Sequence, residues 1–107
     1  MQGNHVWPLF VKDQRGNSIY LTQERWEHAL DHPGMSHELL EPMLKTICSG
    51  TRKQDPYDPA KFKYTRSFPD LPIEYTHIIV VVKFGWQVQD VSIANNFVLT
   101  AYMVERW

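Results

Sequence analysis

The chain reads as an α+β domain: two N-terminal helices packed on a four- to five-stranded antiparallel sheet, preceded by a short N-terminal hairpin. Three observations predict it. Helical periodicity is confined to the first half of the chain. The second half carries the β-prone stretches KFKYTRSF, YTHIIVVVKF and FVLTAYMV, joined by turn residues. Helices followed by a meander of strands pack most simply as a helical layer on one face of an antiparallel sheet.

Each element has a local reason. His5 to Val11 is apolar and β-prone, and Pro8 suits an edge position. Asp13-Gln14-Arg15-Gly16-Asn17 is a polar turn, and Ser18 to Leu21 resumes strand character, which gives the hairpin. Thr22 is an N-cap for a helix whose buried stripe is Trp26, Ala29 and Leu30, ended by Pro33-Gly34. Ser36 caps a second helix with Leu39, Leu40, Met43, Leu44, Ile47 and Cys48 on its apolar side, and Gly50 stops it. Pro42 belongs in the first regular turn, after a looser one. Thr51 to Pro59 reads as polar turns. Tyr75 to Phe84 is the central strand, covered on both faces, and Val88 to Ala94 is a further strand before the closing one.

Composition bounds the rest. At 107 residues, with 43% hydrophobic and 21% charged side chains, the chain makes one domain over residues 1–107 around one core. Ile78 to Val82 is the longest apolar run, far short of a membrane span, and MQGNHVWPLF lacks the basic and apolar regions of a secretory signal. Cys48 is the only cysteine, so no disulfide forms within the chain and a reducing cytoplasm is the simplest compartment. A formal net charge of -1 gives no global attraction to polyanions, so any nucleic-acid site rests on local clustering.

The stretch ERWEHALDHP places His28 and His32 about one helical turn apart. Three readings stand. As a metal site the pair lacks the glutamate of HExxH and a third ligand. As structural residues, His32 complements the helix C-terminus and His28 is exposed. As acid–base groups they need cations and hydroxyls from elsewhere, since imidazole titrates near neutrality. Arg52, Lys53, Lys61, Lys63 and Arg66 concentrate positive charge before the central strand. Alternation in KFKYTRSF puts Lys61, Lys63 and Thr65 on one face, and Phe62, Tyr64 and Arg66 on the other. In FVLTAYMV the same rule groups Val98, Thr100 and Tyr102. No glycine loop is spaced to cradle a phosphate.

In order, ERWEHALDHPGM, KFKYTRSF, YTHIIVVVKF and FVLTAYMVERW resemble the barnase–EndoU–colicin E5/D–RelE-like nuclease group, closest in layout to its phage-type and DUF4258-like members. The resemblance spans roughly Ile19 to Trp107. It implies a metal-independent endoribonuclease that needs no cofactor, acts on RNA and is held in check by an antitoxin or inhibitor protein, as a toxin or phage-conflict effector. Carried over, the catalytic set is His28, His32, Arg66, Thr100 and Tyr102, with His28 as the leading base. Lys61, Lys63, Tyr64, Arg52 and Lys53 would hold substrate. The departure is charge, because this chain is not basic. A catalytically inactive module of the same fold, acting through protein contacts at its tryptophan-rich ends, is the alternative.

Overall fold

A computed structural model describes residues 5–90 and 92–106. Strands β1 (Leu9–Lys12) and β2 (Ser18–Leu21) form the expected hairpin. Helix α1 (Gln23–Ala29), a 3-10 turn (His37–Leu39) and helix α2 (Leu40–Ser49) follow, then β3 (Thr51–Gln54), β4 (Lys61–Ser67), β5 (His77–Lys83) and β6 (Phe97–Val104). All six strands join one sheet in the order β1-β2-β6-β5-β4-β3. Among the described residues no helix is long and apolar enough to cross a membrane.

This corrects the expected architecture. Among the described residues the protein is mostly sheet: a six-stranded mixed sheet with only two helices, not two N-terminal helices on four or five antiparallel strands. The hairpin comes first and belongs to the sheet. Its β2 pairs parallel with β6 at Tyr20↔Phe97, the helices and three strands between them supplying the crossover that parallel pairing requires. A strand, β3, also arises where only turns were expected. TRKQ has no apolar alternation, yet it pairs with β4 through Arg52↔Tyr64 and Lys53↔Lys63 as a short polar edge. Val91 lies outside the described residues, and over the described residues of Val88 to Ala94 the expected strand does not form. Its described residues hold a single bridge, Trp86↔Ala94, around exposed turns.

Local expectations fared better where they rested on capping and burial. Thr22 accepts the N–H of Arg25, as an N-cap should. Ser36 makes no such bond, and Pro42 lies in the first turn of α2 after the 3-10 turn. Helix α1 ends at Ala29, before Pro33, so His32 stands in the following turn. Cys48 is exposed rather than buried, because α2 turns Leu40, Met43, Thr46 and Ile47 inward. Gly50 stops α2 in an extended conformation. A Cβ there would lie 2.5 Å from the Thr46 carbonyl oxygen and 2.6 Å from that of Thr65, so close approach, not a left-handed turn, demands glycine.

Strand β5 is central and buried from Ile78 to Val82, as expected. Its Ile78, Val80 and Val82 join the core with Ile19, Leu21, Trp26, Met43 and Ile47. Its Ile79 and Val81 point the other way and stay outside that cluster, although buried. The sheet therefore has an inner face, toward α2 and the core, and an outer face.

Candidate functional site

Cross-strand register assigns every candidate to a face, because paired residues share one. On β4, Phe62, Tyr64 and Arg66 oppose Val82, Val80 and Ile78, so they face inward. Lys61, Lys63, Thr65 and Ser67 oppose Lys83, Val81, Ile79 and His77, so they face outward. A register shift between Val81 and Val82 inserts an extra residue in β6. Val98 consequently turns inward beside Val82, while Thr100 and Tyr102 turn outward beside Val81 and Ile79. The expected grouping of Val98 with Thr100 and Tyr102 is corrected by that bulge.

One candidate cluster forms on the outer margin. The turn after α1 brings His32 Nε2 to 3.1 Å from Thr100 Oγ1. The His32 ring lies 5.6 Å from that of Tyr102 and 6.2 Å, edge-on, from that of His28. His28 is exposed, and its ring contact with the site is the one with His32. The structure thus brings together His28, His32, Thr100 and Tyr102, and gives His32 the hydroxyl partner.

Arg66 is not with them. It donates from Nη1 to Ser49 Oγ at 2.9 Å and lies 4.9 Å from the Phe68 ring, on the α2 side. Tyr64, expected to stack a base, is 1% exposed and donates its hydroxyl to Asp13 Oδ2 at 2.6 Å. Arg52 lies 4.2 Å from the Phe62 ring centre and 4.0 Å from Asp13 Oδ2, also on the inner side. Through Asp13, Tyr64 and Arg52 hold the hairpin turn against β3 and β4.

Asp13 ties that network together and was not foreseen. Its Oδ1 accepts the N–H groups of Arg15 and Asn17, and its Oδ2 accepts from the Asn17 amide as well as from Tyr64. Burial pushes its carboxyl up, but those hydrogen bonds outweigh it, and its pKa lies below the ordinary aspartate value. Burial raises the Tyr64 hydroxyl as well, and there the rise prevails, with Asp13 reinforcing it and Arg52 opposing it. Only the aspartate at the head of a Gly-containing turn hinted at this role.

The remaining strand cations face outward. Lys12, Lys53, Lys61, Lys63 and Lys83 occupy outer positions, and no strand position on that face holds a carboxylate. Lys83 pairs with Asp58 from the β3–β4 turn, and Lys61 also lowers the pKa of that carboxyl; Lys12, Lys53 and Lys63 have no ion-pair partner among the described residues. Lys53, Lys63, Val81 and Thr100 form one row across four strands. A chain of net charge -1 thus segregates its strand lysines onto one face. The same face carries a row of rings that alternation in LFVK and SIYL foreshadows: Phe10–Tyr20 at 5.7 Å and Tyr20–Phe97 at 6.0 Å.

Among the described residues no three His, Cys, Asp or Glu side chains gather as metal ligands. The chain matches no protein-family model, no curated protein and no solved structure.

Proposed function

We propose that the protein is a metal-independent endoribonuclease whose substrate lies along the outer face and reacts at its His32–Thr100 margin. The observation that carries this reading is the 3.1 Å approach of His32 to Thr100 at the edge of a face whose charged strand residues are all lysine. Lysines and hydroxyls attract a phosphodiester backbone without a basic chain overall.

The chemistry needs no metal. The ribose 2′-oxygen attacks the adjacent phosphorus while His32, held in orientation by Thr100 and by the Tyr102 ring, takes its proton. The P–O5′ bond breaks, and His28 returns a proton to the leaving oxygen. The products end in a 2′,3′-cyclic phosphate and a 5′-hydroxyl. Lys63, not Arg66, supplies positive charge: it shares the row of Thr100, two strand spacings or roughly 10 Å away, a gap that its long side chain shortens. A small inhibitor protein is the partner that such an activity would require in the cell that makes it.

The test is labelled single-stranded RNA incubated with the purified protein, with and without EDTA. Cleavage to cyclic-phosphate ends, unaffected by EDTA, is expected. Cleavage abolished by EDTA, or intact in His32→Ala, would overturn the proposal. The second reading, an inactive module working through protein contacts, draws on exposed Trp86, Val88 and Ile93 at one end of the sheet. It predicts that no RNA is cleaved at any pH.

A further inference from the structure

A cavity of about 320 Å³ opens on the outer face beside the start of β6. Pro8, Phe10, Ser18 and Tyr20 form its floor, and Gln87, Asn95 and Asn96 bring amides to its wall. We infer that it receives one unpaired nucleobase of a bound single strand.

The floor is aromatic where a surface strand has no packing need for it. Phe10 is 64% exposed, yet its ring lies 5.7 Å from that of Tyr20. Every base presents a flat π-face, and exposed rings on a sheet are the common platform for stacking one. The wall is built rather than incidental. Asn96 is buried, donates from Nδ2 to the Ser18 carbonyl at 3.0 Å, and accepts the Gly85 N–H on Oδ1. It therefore fixes the wall to the floor. Tyr20 donates its hydroxyl to Asn95 Oδ1 at 2.7 Å, which commits that oxygen and leaves the Asn95 amide nitrogen as a donor for a ligand. An aromatic floor with an amide donor beside it matches a heterocycle with polar edges better than an aliphatic side chain.

Charge points to the same ligand. Lys12, exposed and without an ion-pair partner among the described residues, opposes Ser18 on the floor strand, whereas Lys83, opposite Phe97, is held by Asp58. From Phe97 to Thr100 along β6 is roughly 10 Å, within the length of a short oligonucleotide. A base held here would set which phosphate reaches His32. The inference rests on the ribonuclease reading for that consequence, but binding is measurable without cleavage.

The test uses a 2′-O-methyl RNA hexamer, which has no nucleophile, and the same hexamer with abasic residues, both followed by fluorescence anisotropy. The protein is expected to prefer the base-bearing hexamer about tenfold. Phe10→Ala is expected to lose that preference while binding the abasic strand as before, and Asn95→Ala to weaken it. Phe10 is exposed, so its truncation leaves the fold intact. Equal binding of the two hexamers by the unaltered protein, or an unchanged preference in Phe10→Ala, overturns the pocket, even if RNA is still cleaved. A Phe10-dependent preference without cleavage of ordinary RNA upholds the pocket and removes the catalytic reading.

Discussion

Replacing Tyr64 with Phe deletes one oxygen from the buried network that holds the hairpin turn to the sheet. The hydroxyl is 2.6 Å from Asp13 Oδ2 and the side chain is fully enclosed, so no water replaces the lost donor. A hydrogen bond to a charged partner contributes about 1.5–3 kcal/mol, and here the carboxylate keeps its bonds to Asn17 and Arg15. We expect a loss of about 2 kcal/mol, read as a fall in Tm of about 10 °C for a domain of this size. The pH profile sharpens the test. Tyr64 has a raised folded-state pKa, so its contribution is complete below the unfolded value of about 10 and is lost as pH rises beyond it. The alkaline decline should shrink in Tyr64→Phe. Asp13 is depressed, so its contribution is complete above about pH 4 and fades as pH falls further. Thermal melts across pH 3–11 measure all three effects. A Tm within about 2 °C of the parent at neutral pH would refute the assigned weight of this network. Below its Tm, Tyr64→Phe should bind RNA within about twofold of the parent, because a buried ring contacts no ligand.

Three further outcomes follow from the same geometry. Thr100→Val removes the hydroxyl that holds His32 and should slow RNA cleavage about 10- to 100-fold while leaving the melting curve in place, as single-turnover kinetics would show. Lys63→Ala should lower the salt dependence of single-strand binding by about 0.7 in the log–log slope, one phosphate contact, whereas Arg66→Ala should leave that slope unchanged. Gly50→Ala forces a methyl against two carbonyl oxygens and should cost about 1–3 kcal/mol in urea unfolding.

Features set by neighbouring residues were legible in the sequence. The Thr22 cap, the place of Pro42 in the first turn of α2 and the buried run of β5 depend on capping, proline geometry and apolar continuity. Strand β3 was illegible because TRKQ has no face to bury; β4 offers it a backbone ladder. The parallel pairing of β2 with β6 joins residues far apart in the chain, which no local pattern encodes. The site shows the same division. Alternation in KFKYTRSF separated Arg66 from Lys63 correctly. Which of the two faced Thr100 depended on one inserted residue in β6, and a bulge inside FVLTAYMV leaves no turn residue to mark it. Arg66 consequently belongs with Ser49 and Phe68, and the lysines face the histidines' side of the sheet.

Cleavage of single-stranded RNA by the parent protein and by His32→Ala, with product ends identified, tests the outer-face site most directly. The parent should release 2′,3′-cyclic phosphate ends in EDTA, and His32→Ala should be slower by about 10²–10⁴-fold with an unchanged melting temperature. Equal rates in the two proteins, or no cleavage by the parent from pH 5 to 9, would contradict it.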